Sequence, residues 1–181
     1  EWLALSAALA GGWFSNRYAW WRKPVDLRHP RVLMYHMVSP HRPGAKFNGL
    51  RVPPERFEAQ LDWLKRKGWT FFTVGELWAQ WDELPEKSVA ITFDDGYADN
   101  LHNALPLLDK YDAKATIYIV VDRHDRDWST AKKAHHNTGE LAREPKLSDD
   151  ELQRLVASGR IEIGSHTLTH INMGTTSAAD K

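Results

Sequence analysis

The sequence has no cysteine among its 181 residues and no excess of either charge. The absence of cysteine excludes disulfides and thiolate metal ligands, so any bound metal would be held by histidine, aspartate or glutamate. Lysine and arginine together number 24, and so do aspartate and glutamate. This balance weighs against nucleic acid as a partner, because nucleic-acid-binding proteins commonly carry a basic surplus that neutralises phosphate.

The sequence also has no apolar run of the roughly 20 residues needed to cross a bilayer. The apolar stretch Trp2–Phe14 is shorter, and it is followed by tyrosine and tryptophan mixed with Arg17, Arg22 and Lys23. Aromatic and basic side chains collect at membrane interfaces, so residues 1–24 are predicted to form a membrane-proximal segment. We therefore expect a membrane-associated protein of the cell envelope, on either side of the membrane. A hydrophobic helix docked on the domain is the alternative.

The remainder of the chain alternates short apolar runs with helix-like segments, which predicts one α/β domain over residues 25–181 with a parallel sheet, open or closed into a barrel. The apolar runs predict strands at residues 31–38, 69–74, 88–93, 113–120 and 160–164. Capping and breaking residues predict helices at 54–68, 73–81, 98–111 and 148–159, with Pro106 kinking the third. Four tryptophans in these patterns are predicted to pack in the core: Trp63, Trp69, Trp78 and Trp81.

Two adjacent carboxylates, Asp94 and Asp95, directly follow the predicted buried strand 89–93 and precede Gly96. The carboxyl ends of strands in α/β sheets are where active sites are built. Two neighbouring carboxylates repel each other unless a cation or a proton separates their roles. The pair therefore indicates either a catalytic or metal site, or a turn in which one aspartate caps the following helix.

A second polar motif, "HTLTH", follows the predicted strand 160–164 and places His166 and His170 four residues apart. If a helical turn forms there, both imidazoles project on one side and can bind one metal. Together with one aspartate they would form a two-histidine, one-carboxylate site with open positions. The spacing alone is also common at surfaces, but both motifs follow strands and should meet at one edge of the sheet.

Other residues are expected near that edge. His36 follows the first predicted strand and is predicted to contact either the substrate or the residues around the metal, or else to pack beneath the site. Tyr97 is a candidate for the wall of the substrate cleft, with packing as the alternative. The long polar connection 122–146 is predicted to be a loop at the same end. It contains three histidines that belong either to a solvated lid or to a second metal site: His124, His135 and His136.

These motifs resemble those of the polysaccharide deacetylase family, carbohydrate esterases with a NodB-type homology domain. "TFDDGY" at Thr92–Tyr97 resembles the first family motif, and "HTLTH" at His166–His170 resembles the second. "VLMYHMV" at Val32–Val38 is similar to the branch that deacetylates poly-N-acetylglucosamine. The resemblance covers about residues 31–173. It implies a distorted (β/α) barrel, incomplete at its C-terminal end in this chain, with residues 25–181 as the N-terminal part of the catalytic domain.

The resemblance also implies a role for each matching residue. Asp94 would be the catalytic base, and Asp95, His166 and His170 would hold one divalent metal ion: zinc, with cobalt, nickel or iron as alternatives. The implied reaction is removal of N-acetyl groups from an amino-sugar polysaccharide or glycolipid, with release of acetate.

The sequence after His170 departs from the family pattern. The family continues into an arginine motif, an aromatic and acidic motif, and a Leu-x-His motif that supplies the catalytic acid, and "GTTSAADK" resembles none of them. No position is therefore assigned to the acid. A non-catalytic glycan-binding or assembly module is the alternative function, and a hydrolase of small amides on the same scaffold is a third.

Overall fold

The computed structural model describes residues 2–19, 21–125, 139–171 and 174. The strands are β1 (Arg31–Tyr35), β2 (Met37–Val38), β3 (Arg51–Val52), β4 (Thr70–Phe72), β5 (Ser88–Asp95), β6 (Ala115–Ile119) and β7 (Ile161–Ser165). The α-helices are α1 (Trp2–Tyr18), α2 (Pro54–Arg66), α3 (Val74–Ala79), α4 (Leu105–Lys110) and α5 (Asp149–Ala157). Short 3₁₀ turns lie at Asn48–Leu50 and Trp81–Glu83, and a π-helical turn lies at Asn100–Ala104.

The main sheet is parallel, as the strand–helix alternation predicts. Its order is β1-β5-β6-β7, and β4 pairs with the first residues of β5. Phe93 of β5 pairs with Tyr35 of β1 on one side and with Ile117 of β6 on the other, and Ile117 pairs in turn with Ile163 of β7. Within the described residues the sheet is open. Because its strands are parallel, their carboxyl ends lie at one edge, and the predicted site residues lie at or just beyond the ends of β1, β5 and β7.

The central strand β5 is buried along its apolar part, from Ser88 to Phe93. A nearly continuous apolar sequence is typical of a parallel strand covered on both faces. Phe93 packs edge-on against Phe57 of α2, with ring centroids 5.8 Å apart. Leu108 of α4 and Leu155 of α5 belong to the same buried cluster. Each fully buried side chain of this kind contributes about 1.5–3 kcal/mol, so this layer of helices fixes β5 and the residues at its end.

The helix boundaries follow the local sequence signals. Thr73 and Glu76 form a reciprocal capping box at the start of α3, and Ser148 with Glu151 does the same for α5. Pro54 lies in the first turn of α2, and Gly68 beyond its C-terminus has a φ of 75°. The predicted caps are confirmed, because a cap depends on a few neighbouring residues rather than on the tertiary structure.

Two predicted elements are divided in the structure. The strand predicted at 31–38 breaks at His36, and β2 leaves the main sheet to pair with β3. The single helix predicted at 98–111 consists of the π-helical turn followed by α4, which has Pro106 in its first turn. A proline has no backbone N–H to donate, so it fits a first turn better than a helix interior.

The prediction that the tryptophans lie in the core is wrong for three of them. The exposed fractions are 50% for Trp63, 82% for Trp78 and 57% for Trp81, while Trp69 packs partly buried against the core. Trp63 and Trp69 instead line an apolar groove beside β1 and α2. A periodic pattern shows that an aromatic residue can face a core, but only the packing of neighbouring elements decides whether it does.

The N-terminal helix α1 exposes large apolar side chains. The exposed fraction is 82% for Trp2, 66% for Leu9 and 64% for Trp13. Of the helices that the structure describes, none combines the length and the apolar character required to span a bilayer.

Candidate metal centre

The two adjacent aspartates are the last two residues of β5 and have different surroundings. They pair with Tyr118 and Ile119 of β6. Only 2% of Asp95 is exposed, whereas Asp94 is half-buried. Asp95 has a φ of 77°, and such left-handed backbone in a non-glycine residue is strained and typical of functional sites.

Gly96 permits the sharp turn that follows the aspartates. Its φ is 82°, and a Cβ atom at this position would lie 2.8 Å from Cδ1 of Ile119. The backbone conformation therefore favours glycine here, and a larger residue would require the Ile119 side chain to move. The turn ends β5 while Asp94 and Asp95 remain at the edge of the sheet.

The predicted helical turn at the second motif does not form. The chain instead continues the pairing with the end of β6: His166 N–H donates to Ile119 O (2.8 Å), and Thr167 O accepts from Val121 N–H (3.2 Å). Thr167 and His170 then adopt φ values of 68° and 57°. These left-handed residues turn the chain back so that the His166 and His170 rings lie 5.0 Å apart. The predicted proximity of the two histidines is thus found, by a different backbone route.

Asp95, His166 and His170 form one cluster of potential metal ligands, with one ligand atom from each lying within 4.8 Å of the others. Oδ1 of Asp95 is 3.5 Å from Nε2 of His166 and 3.4 Å from Nε2 of His170. Ligands about 2.1 Å from a tetrahedral metal ion are roughly 3.4 Å from one another, so the spacing fits such an ion.

The Asp95 carboxylate also lacks a donor for one of its oxygens. Oδ1 is buried and accepts no hydrogen bond from the described residues. Leaving a buried acceptor without a partner costs about 1–3 kcal/mol, and more if it is charged. A cation at this position would remove that cost. The three side chains therefore fit a divalent metal ion, as the sequence predicts.

Asp94 lies beside this cluster but is not part of it. Burial raises the pKa of the Asp94 carboxyl, and the charges of nearby His166 and His36 oppose this increase. Two adjacent carboxylates in different environments can divide two tasks between them. The geometry thus separates a buried carboxylate directed at the two histidines from a half-buried one beside it.

The structure places His36 beside Asp94, whereas the Tyr97 side chain is buried. Tyr35 pairs with Phe93, so His36 lies beside Asp94 at the ends of β1 and β5. Tyr97 is 1% exposed and packs in a small cluster with Met37, and the ammonium of Lys146 lies 4.7 Å from its ring centre. This position corresponds to the packing alternative for Tyr97 rather than to a cleft wall.

A strap of residues 139–147 covers the turn after β5, and no pattern in the sequence predicts it. Leu147 N–H donates to Gly96 O and Ala98 N–H donates to Pro145 O, both at 2.9 Å. The strap is fixed by an ion pair between Glu144 and Arg51 (2.6 Å), whose side chains are 5% and 0% exposed. His124 is exposed, and His135 and His136 lie outside the described residues, so the second metal site stays a prediction.

Residues 81–181 match the family model for polysaccharide deacetylases. The chain belongs to the polysaccharide deacetylase family. The resemblance that "TFDDGY" and "HTLTH" indicated is thereby confirmed, and the matched region contains all three members of the ligand cluster.

Known relatives agree with this family assignment. The Bacillus subtilis protein YxkH, named as a polysaccharide deacetylase, is 36% identical over 158 residues, which cover 86% of this chain and 48% of YxkH. The poly-beta-1,6-N-acetyl-D-glucosamine N-deacetylase of Staphylococcus aureus is 30% identical over 118 residues, covering 64% of this chain and 37% of that protein. The chain thus spans about half the length of these relatives, or less.

Solved structures give the same fold. The Streptococcus pyogenes deacetylase PplD, determined in complex with acetate, is similar with a TM-score of 0.65 and 28% identity. The similarity covers 86% of this chain and 62% of that one. The predicted α/β deacetylase fold is therefore confirmed, with the aspartate and histidine motifs at the carboxyl edge of the family's parallel sheet.

Proposed function

We propose that this member of the deacetylase family hydrolyses N-acetyl groups on an amino-sugar polysaccharide or glycolipid and releases acetate. The observation that carries the proposal is the cluster of Asp95, His166 and His170 with Asp94 next to it. The name of the Staphylococcus aureus relative supports an amino-sugar substrate, and the acetate in the Streptococcus pyogenes structure corresponds to the product.

Asp95, His166 and His170 would hold one divalent metal ion. Two imidazole nitrogens and one carboxylate oxygen suit zinc, and the same set is also compatible with cobalt, nickel or iron. When bound, such an ion supplies a Lewis acid that makes water more acidic and polarises a carbonyl group. The protein's part is to hold Asp95 at the end of β5 and the two histidines in the turn after β7, with Asp94 at the same edge of the sheet.

Asp94 acts in this proposal as the general base. It accepts a proton from the water whose oxygen forms a bond to the carbonyl carbon of the acetamide. The carbon–nitrogen bond then breaks, the nitrogen takes up one proton, and the products are acetate and an amino sugar. Burial raises the pKa of Asp94 toward the range in which a base works best. No described residue is assigned to protonate the nitrogen.

The proposal is tested with the full-length protein on an N-acetylglucosamine oligomer by measuring metal content and acetate release. Asp94→Asn is expected to keep the metal and to lose about 100-fold to 10,000-fold in rate, the usual contribution of a general base. Asp82→Asn, an exposed aspartate in the turn after α3, is the matched control and should keep full activity. If the wild type binds the oligomer but releases no acetate, the protein is a glycan-binding module instead. If it cleaves small amides faster than the oligomer, its substrates are small amides.

We also propose that α1 lies on an anionic membrane surface at the cell envelope. The helix has no acidic residue in its first turn and has Arg17 in its last turn, and it exposes Trp2, Leu9 and Trp13. Apolar rings followed by basic residues are suited to the interface of an anionic bilayer.

The membrane proposal is tested by co-sedimentation with phosphatidylcholine vesicles that contain phosphatidylglycerol. Replacing Trp13 by Ser, or Arg17, Arg22 and Lys23 together by Gln, is expected to reduce the bound fraction. Acetate release from a soluble oligomer should not change, because none of these residues belongs to the cluster of Asp95, His166 and His170. Equal sedimentation of all variants would contradict the proposal and favour a docked helix.

A further inference from the structure

The turn that follows the aspartate motif is a π-helix, Asn100–Ala104. π-helical turns are rare and are found frequently at functional sites. Two of its side chains donate to the broken strand between β1 and β2. Nδ2 of Asn100 donates to the carbonyl oxygen of His36 (3.0 Å), and Nδ2 of Asn103 donates to that of Val38 (2.7 Å).

The bond from Asn100 supports the residue at which the strand breaks. His36 lies between β1 and β2, where the register of β1 with β5 places it beside Asp94. Asn100 is 1% exposed, so water does not compete for this bond. The side chain of Asn100 therefore determines the position of the backbone that carries the His36 imidazole.

The amide of Asn100 donates this bond but leaves its own oxygen without a hydrogen-bond donor. Its Oδ1 atom is buried and accepts no hydrogen bond from the part of the chain that the structure describes. A buried amide oxygen without a donor costs about 1–3 kcal/mol, which a leucine of similar size would avoid. A buried polar atom without a partner is unusual in a folded protein. The presence of asparagine at this position is explained by its NH₂ group, which donates to the carbonyl oxygen of His36.

We propose that Asn100 is a positioning residue, which holds His36 so that its imidazole meets the substrate beside Asp94. The inference rests on the proposed function and deepens it. Asn103 makes an equivalent bond from the same turn, but to Val38, whose side chain is fully buried in the core. Nδ2 of Asn100 also donates to Oδ1 of Asp99 (3.1 Å). The two asparagines still allow a comparison, because both hold the backbone between β1 and β2 and only Asn100 holds the carbonyl of His36.

The kinetic test compares Asn100→Leu with Asn103→Leu in the full-length protein. Asn100→Leu is expected to lower kcat by about 10-fold to 100-fold, the usual effect of removing a group that orients a residue of a site. Its KM and its metal content should stay at the wild-type values. Asn103→Leu is expected to lower the stability while kcat is kept. An equal loss of kcat in both variants would overturn the inference.

A double-mutant cycle tests whether the effect passes through His36. In the His36→Ala background, Asn100→Leu is expected to cause no further loss of kcat, because two residues that act as a unit are not additive. The same loss in that background as in the wild type would refute the positioning role. If Asn100→Leu does not fold, Asn100→Ser replaces it, since the shorter hydroxyl side chain does not reach the His36 carbonyl.

A spectroscopic test separates this inference from the proposed function. The imidazole NMR signals of His36 in the metal-loaded protein should shift or broaden in Asn100→Leu and stay in place in Asn103→Leu. If that pattern is seen but the wild type releases no acetate, the positioning of His36 stands and the proposed function fails. If acetate is released and the His36 signals respond to neither variant, the proposed function stands and the positioning role fails.

Discussion

Nε2 of His170 lies 3.4 Å from Oδ1 of Asp95, although Asp95 ends β5 and His170 follows β7, and these strands lie on opposite sides of β6. Both residues have left-handed backbone, with φ values of 57° and 77°. Such conformations each cost about 1–3 kcal/mol and persist where the surrounding structure holds them in place. The continued pairing of the histidine motif with the end of β6 supplies that support.

Replacing Asp95 by Ala should therefore abolish metal binding, because it removes the buried oxygen that both histidines approach. Metal content after dialysis, measured by elemental analysis, checks this expectation. Asp94→Asn is the matched control next to it in the chain, and it should retain the metal. Retention of the metal by the Asp95 variant would show that the ligand assignment is wrong.

Gly96→Ala should destabilise the protein more than Gly159→Ala does. Both glycines have left-handed φ values, of 82° and 71°, so both variants have the same kind of backbone strain. A Cβ at Gly96 would also press on Ile119, at 2.8 Å, whereas no atom lies within 4 Å of a Cβ at Gly159. We expect an additional loss of about 1–3 kcal/mol for Gly96→Ala, measured by urea unfolding. Equal losses of stability in the two variants would show that the Ile119 side chain adjusts to make room for the added methyl group.

Breaking the buried ion pair that fixes the strap should be costly. Glu144→Gln leaves the guanidinium of Arg51 buried and without its closest carboxylate, and we expect a loss of about 3–5 kcal/mol in the free energy of unfolding. The exposed helix pair Asp62–Arg66 is the control, and Asp62→Asn should lose only about 0.3–0.5 kcal/mol. Similar losses of stability in the two variants would show that water reaches the ion pair between Glu144 and Arg51.

The stability of the protein should depend on the ionisation of Asp99. Burial raises the pKa of this carboxyl from 3.8 to about 6, although hydrogen bonds from Val38 and Ser39 lower it. The folded protein thus holds the proton more tightly than the unfolded chain. The contribution of Asp99 to stability is complete below about pH 4 and is lost as the pH rises through about 6.

Asp99→Asn removes this ionisation, so the variant should gain stability relative to the wild type as the pH rises from about 4 to 7. Urea unfolding of both proteins at several pH values measures the difference, in which the contributions of all other groups cancel. A difference that does not change with pH would contradict the raised pKa.

Local signals in the sequence predicted those features that depend on neighbouring residues. The capping boxes at Ser148 and Thr73 were predicted correctly, because each requires only a hydroxyl and a glutamate three residues later. The sequence also placed the aspartates and histidines at strand ends. It did not predict how His166 and His170 meet, because their left-handed turn is imposed by pairing with β6 rather than by the residues themselves.

The sequence alone determined the parallel α/β class, the family and the residue types of the candidate site, because apolar runs, caps and motifs are read along the chain. Only the tertiary structure decided that Tyr97 is packed, that the strap pairs Glu144 with Arg51, and that Asn100 holds His36. Each of these contacts joins segments that are remote in sequence. Their partners are set by sheet register and packing, which no local pattern encodes.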